Sequence, residues 1–409
     1  MYALLNDLRI VEGASFIAAP SCALHLLQLG AEVIRFDQVG GGPDFRRWPL
    51  AADGQSLYWQ GLNKGKKSVA LDLRQSEGRE LAVRLATAPG PGRGLFVTNY
   101  PVRGFLSHDN LATHRADMIS VRVMGWEDGS TALDYTVNAG VGYPLVTGPE
   151  SMGGEPVNHV LPAWDLLAGT HAAIALLAAE RHRRVSGEGQ EIRVPLGDVG
   201  LATLGHLGQV AEAVVLGTQR PRVGNDLYGA FGRDFLTADG VRLMIVAITA
   251  RQWTGLVGAL GLDAAMARLE QELGVALAPD EGVRYLHRDR LNPLVAEAVA
   301  ARSVAQLEPV FAANGVCWEP YRTPLEAAAQ RCTPQASALY RDVEHPGGLR
   351  YPTPGATATL AGRPRETPGR APRLGEHTDE VLAQVLGLAD HEIGRLHDRG
   401  LVAGPAQDA

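Results

Sequence analysis

The sequence predicts an α/β protein whose large domain carries a parallel sheet, joined to a smaller α+β unit. Two observations carry that prediction. Through the first half of the chain, short apolar runs alternate with helical patterns, and from residue 229 the pattern changes to a hairpin followed by consecutive helices. "LRIVEGA" (8–14) reads as a buried strand, "PSCALHLLQLG" (20–30) as a helix ending at Gly30, and "AEVIRFD" (31–37) as the second strand of a βαβ unit. Such a unit needs a right-handed crossover, and ligands then gather at the carboxyl ends of its strands.

The alternation continues through the strand "SVALDLR" (68–74), the helix "SEGRELAVRLATA" (76–88) opened by Ser76, and the strands "GLFVTNY" (94–100) and "MISVRVMG" (118–125). A further strand and one long helix are expected in "GQEIRVPLGDVGLATLGHLGQVAEAV" (189–214), before the polar linker "GTQRPRVGN". "GAFGRDFLTADGVRLMIVAIT" reads as a hairpin turning at Asp239 and Gly240, with helices from Arg251 to Ala313. The stretch from His345 to Arg373 has little periodicity and reads as a return strap; two capped helices follow it. These signals give a large domain over 1–218, a small domain over 219–340, and a segment over 341–409 that completes the large domain.

Composition narrows the function. With 45% hydrophobic and 20% charged residues the chain reads as a globular protein, and its net charge of -7, with cations scattered among acids, argues against a nucleic-acid partner. Cys22, Cys317 and Cys332 are far apart and lack metal-ligand spacing, which fits a reducing cytoplasm. The most apolar stretch, 166–179, is broken by Gly169, Thr170 and His171 and is too short for a membrane span. The histidines of "HRADM", "GHLGQV" and "LGEHTD" also lack metal spacing, so no metal site is expected.

Asp165 is the residue that raises a chemical question. It stands at the start of "LPAWDLLAGTHAAIALLAAERHRR" (161–184), among apolar neighbours. A carboxylate there is either a first-turn acid favoured by the helix dipole or a partly desolvated nucleophile for an acyl carbon. "VGGGPD" (39–44) is a plain turn or a backbone cradle for phosphate, and "NKGKKS" (63–68) is a solvated turn or, with Arg35, a basic site for an anionic cofactor. Arg46 and Arg47, and Tyr228 and Arg233, are candidate carboxylate anchors.

Taken together and in this order, "LRIVEGASFIAAP", "LGAEVIRFD", "GGGPD", "NKGKKSVALDLR", "VTNY", "AWDLLAGTHAAIALLAAERHRRVSGEGQEIRVPL" and "RLGEHTDEVL" resemble the class III CoA-transferase family, the CaiB/BaiF type, along the whole chain. The resemblance implies a Rossmann-like large domain built from both ends of the chain, a small middle domain, and two subunits interlocked as a homodimer. It makes Asp165 the nucleophile and the CoA thioester a substrate, with no prosthetic group. It runs CoA past Ser15, Phe16, Ile17 and Ala18, then Arg35, Lys66, Lys67, Asn99 and Tyr100. Two departures matter: "NYPVRG" is shorter than the usual loop, which leaves Arg103 without an assigned role, and Leu133 precedes Asp134 where the racemase branch carries a proton-shuttling histidine. Leucine cannot carry a proton, so racemase chemistry is disfavoured. Stretches such as "FDQVGGGPDFRRWP", "YWQGLNKGKKS", "VNHVLPAWD" and "GNDLYGAFGRDF" are similar to members that move CoA between the two carboxyls of one C5 dicarboxylate. Motif order then offers Arg47, with Tyr135 and His159, to the idle carboxylate. An intermolecular transferase using the same Asp165 is the alternative.

Overall fold

The computed structural model describes residues 1–101 and 103–405. They form two compact units, one of residues 1–141, 160–211 and 328 onward, the other of 142–159 and 212–327. The expected boundaries lay at 218 and 340, and 142–159 had been placed with the large domain.

In chain order the first unit begins β1 (Arg9–Gly13), α1 (Ala18–Gln28), β2 (Glu32–Gln38), α2 (Leu57–Asn63), β3 (Lys67–Leu71), α3 (Ser76–Ala86), β4 (Leu95–Thr98), α4 (His108–His114), β5 (Ile119–Met124) and α5 (Asp134–Gly140). The short α6 (Tyr143–Val146) belongs to the second unit, and the chain then returns with α7 (Ala163–Ser186), β6 (Gln190–Pro195) and α8 (Leu196–His206). After α9 (Gln209–Leu216) come β7 (Phe231–Leu236), β8 (Arg242–Ala247), α10 (Ala250–Leu260), α11 (Asp263–Leu273), α12 (Glu281–Leu286), α13 (Arg288–Ala300), α14 (Val304–Asn314), β9 (Cys317–Pro320) and α15 (Pro324–Gln330). The first unit closes with β10 (Tyr340–Glu344), β11 (Arg350–Pro354), α16 (Thr378–Leu386), α17 (Asp390–Asp398) and β12 (Val402–Ala403).

Its sheet runs β12-β3-β2-β1-β4-β5-β6, parallel except for β12, which pairs antiparallel with β3. Strand order reverses at β1, with β2 on one side and β4 on the other. That reversal opens a crevice at the carboxyl ends of β1 and β4, where parallel sheets of this kind take their ligands. Both faces of the sheet are covered: Phe36 and Phe96 stack at 6.3 Å inside a core that α3, α16 and α17 complete, and the polar residues the strands carry, Glu12, Arg35 and Asp37 among them, are buried with them.

The second unit is a three-stranded antiparallel sheet, β7-β8-β9, against α10 to α14, with Phe231, Trp253 and Phe311 in its core. The expected turn at Asp239 and Gly240 is present. Segment 142–159 joins this unit through buried Arg222, whose guanidinium donates to the carbonyls of Thr147, Pro144 and Glu155. The long helix expected after β6 is two helices, bent by 64° between α8 and α9. Among the described residues no single helix is long and apolar enough to cross a membrane.

Candidate active site

The loop after β1 is fixed from three directions. Thr98 Oγ1 donates to the Gly13 carbonyl at 2.7 Å, so the ends of β1 and β4 are tied together. Asn99 then grips Ser15 reciprocally, accepting from its N–H at 3.0 Å and donating to its carbonyl at 2.8 Å. Phe16 follows at φ +67°, the one positive φ outside glycine among the described residues, and its N–H donates to Asp44 Oδ2 at 3.0 Å. A left-handed phenylalanine costs about 1–3 kcal/mol and persists because the surrounding bonds over-determine it. Its ring is thereby turned outward, and α1 starts immediately after it with no side-chain cap.

Asp165 is the third residue of α7, whose N-cap is Pro162 and offers no side-chain cap. The cap comes from outside the helix. Asp134, at the start of α5, accepts from the N–H groups of Trp164 at 2.7 Å and Asp165 at 3.1 Å, and Asn138, one turn further along α5, accepts from Trp164 Nε1 at 3.3 Å. α7 also lies close on α1: a Cβ on Gly169 would stand 2.0 Å from Ser21 Oγ and 2.6 Å from the Ala18 carbonyl. Asp165 is one turn before Gly169 on the same face, which brings it beside the start of α1.

With the first-turn amides occupied by Asp134, the Asp165 carboxylate has no hydrogen-bond partner among the described residues. Its pKa is pushed up to about 7, first by burial and then by the neighbouring Asp134 charge, against an opposing pull from Arg47. Arg47 is held between two rings, its guanidinium 5.5 Å from the Phe16 centroid and 5.3 Å from that of Tyr58. Burial pushes the Tyr58 phenol up to about 12. A half-buried, unpartnered carboxylate facing one exposed guanidinium is a site suited to an acyl group that also bears a carboxylate.

Of the expected CoA contacts, Ser15, Phe16, Ile17, Ala18, Asn99 and Tyr100 come together at this crevice. The basic residues do not. Arg35 is fully buried and spends all five donors on Asp37, Glu12, Asn63 and Asp44. Lys66 is buried as well, with Nζ on Glu12 at 2.6 Å and on Pro20 O and Asn63 Oδ1 at 3.0 Å. Glu12, in the middle of the sheet, needs both cations to be tolerable there, which is why neither is left for a ligand. Lys67 opens β3 and pairs with Glu32, the first residue of β2, and with Glu380, at the sheet edge away from the crevice. Tyr135 donates to the Val160 carbonyl at 3.3 Å, while His159 belongs to the second unit. Tyr228 and Arg233 also lie in that unit, engaged by Glu212 and Asp226. Among the described residues no group of three His, Cys, Asp or Glu is placed to hold a metal ion.

Sequence reasoning missed Asp134 and Asn138 as the clamp on α7, although their i, i+4 spacing is a helical signal. It also missed Arg122, which is buried and holds the loop after β4 through the carbonyls of Tyr100, Pro101 and Leu106. A strand arginine gives no hint of such a contact.

Comparison with known proteins agrees with this architecture. A family model described as CoA-transferase family III matches residues 5–378. The 2-methylfumaryl-CoA isomerase of Chloroflexus aurantiacus is 50% identical over the full length of both chains, and the succinate–glutarate CoA-transferase of Agrobacterium fabrum is 27% identical over 93% of this chain and 95% of its own. A CaiB/BaiF family protein from Brucella suis shares the fold, with a TM-score of 0.75, 23% identity, and coverage of 94% of this chain and 100% of its own. The chain belongs to the class III CoA-transferase family.

Proposed function

We propose that the chain converts 2-methylfumaryl-CoA to 3-methylfumaryl-CoA, moving CoA between the two carboxyls of one mesaconate. The observation that carries this is the Asp165 carboxylate, free of hydrogen bonds and facing Arg47; the isomerase relative supports the choice of substrate. Asp165 attacks the thioester carbonyl and expels CoA thiolate, giving an aspartyl-mesaconyl anhydride. Thiolate attack on the aspartyl carbonyl releases mesaconate and leaves an aspartyl-CoA thioester. Mesaconate turns in place and its other carboxylate attacks that thioester, expelling thiolate again. The thiolate then takes the mesaconyl carbonyl, and Asp165 returns as a carboxylate. No proton or second substrate is consumed.

Arg47 anchors whichever carboxylate is idle, with Tyr135 as a further candidate. The Ser15–Ala18 backbone, Asn99 and Tyr100 line the path of CoA. Its phosphates meet Arg79 and Arg103 instead of Arg35, Lys66 and Lys67. Arg103 is exposed on the loop after β4, and Arg79 lies over Phe105, two residues beyond it.

The test is turnover of 2-methylfumaryl-CoA in the presence of isotopically labelled free mesaconate. Unlabelled 3-methylfumaryl-CoA is the expected product, and labelled product would make the enzyme an intermolecular transferase. Asp165→Ala should fold and lose turnover altogether; wild-type rates in that variant would end the covalent mechanism.

A further inference from the structure

One oxygen of the Asp134 carboxylate has no structural task. Oδ2 accepts both first-turn amides of α7, whereas Oδ1 is buried without a hydrogen-bond partner, in a side chain only 3% exposed. No arginine or lysine pairs with it among the described residues. Capping alone would be served as well by an asparagine, whose single carbonyl oxygen can accept the same two N–H groups. The carboxylate therefore adds a buried charge, offset only by the positive end of α7, to the surroundings of Asp165.

We propose that Asp134 is the positioning residue of the acyl transfer: its two-amide grip fixes the backbone of Asp165, and its unpaired charge presses on the nucleophile. This rests on Asp165 being the nucleophile. Before attack two carboxylates stand close together in a poorly hydrated corner. Once Asp165 is acylated, as anhydride or as CoA thioester, it carries no charge and the repulsion is gone. Each acylation of Asp165 thus relieves strain that Asp134 imposes, and each return of free Asp165 restores it. The opposing groups are Arg47, between Phe16 and Tyr58, and the Tyr58 phenol. Arg47 alone among them is cationic, and it is exposed and committed to substrate.

Asp134→Asn keeps the cap and removes the charge. Assayed with 2-methylfumaryl-CoA across pH, it should melt close to wild type, shift the acid limb of kcat/KM to lower pH by about half a unit or more, and lose about tenfold in turnover at pH 8. Asp134→Ala removes cap and charge, and should lose thermal stability in addition. If Asp134→Asn has the wild-type acid limb and wild-type turnover, Asp134 is a cap and nothing more. Should Asp134→Asn fail to fold, Asp134→Ser, a neutral cap with one acceptor oxygen, gives the same two readings. Asp165→Ala run beside them separates the two ideas. Residual turnover there overturns the nucleophile, while loss there with an unaltered Asp134→Asn overturns only the role of Asp134.

Discussion

An aspartate three residues into a helix ordinarily spends its charge on the open amides of the first turn, and for a lone sequence that is the better reading of Asp165. Asp134 removes the option by taking those amides itself, so the Asp165 carboxylate remains unpartnered with its pKa raised from 3.8 to about 7. The sign of the linkage follows. Above 3.8 the unfolded chain sheds this proton while the folded chain keeps it, so the residue's contribution to stability falls as pH rises from 3.8 to about 7 and is flat beyond. Asp165→Asn should therefore melt a few degrees higher than wild type at pH 8 and no higher at pH 4, while being inactive at both. Calorimetry at the two pH values reads this directly; equal melting at pH 8 would mean that Asp165 is not strained by its surroundings. At this scale the sequence supplied Asp165 as the candidate nucleophile and Arg47 as a candidate carboxylate anchor. It could not supply the ownership of the amides, because Asp134 lies some thirty residues away and only the fold brings the two together.

Elements decide where those residues point. β1, β2, β4 and β5 were legible because each is a short stretch rich in β-branched and aromatic residues between turn residues, and the β7–β8 hairpin because its alternation breaks at Asp239 and Gly240. α2 and α5 were not: each has seven residues, too few for periodicity to show. The basic run before β3 misled for a different reason. Its composition suggested an anion site, but composition carries no direction, and the buried Glu12 claims Lys66 and Arg35 first. The contact between α1 and α7 gives the element-scale prediction. Gly169→Ala would drive a methyl against Ser21 Oγ and, more seriously, against the Ala18 carbonyl, a backbone atom that cannot rotate away. The helices must separate at the point that holds Asp165 beside the loop of Phe16. We expect a lower melting temperature and, in the surviving fold at low temperature, turnover reduced at least tenfold although Asp165 and Arg47 are both present. Wild-type kcat in that variant would show that the approach of α1 and α7 is structural only.

For the molecule as a whole, the chain leaves the first unit and returns to it, so that residues from 328 onward supply β12 to the sheet begun by β1, and α16 and α17 to its core. The closing segment was expected to rejoin the large domain, but the β10–β11 hairpin within it was not, since prolines and glycines there hide the pairing. What the single chain leaves unexplained is an apolar surface. Along α8, α9 and the turn between them the side chains of Leu201, Leu207, Val210, Val214, Val215 and Leu216 are exposed, Val214 and Val215 by nearly four-fifths. Single apolar residues on a surface need no explanation, but six exposed ones within residues 201–216 are costly in water and mark an interface. Neither helix alone is long enough to span a bilayer, and the pair is bent by 64°. A second copy of the chain is the occupant we propose, in agreement with the interlocked homodimer that the family resemblance implies. Light scattering on the purified protein at micromolar concentration should then give twice the mass of one chain. The double variant Val214→Asp, Val215→Asp should shift that mass toward a single chain, since two carboxylates buried at a symmetric contact become four. A wild-type protein that scatters as one chain would remove the second copy as the explanation of this surface.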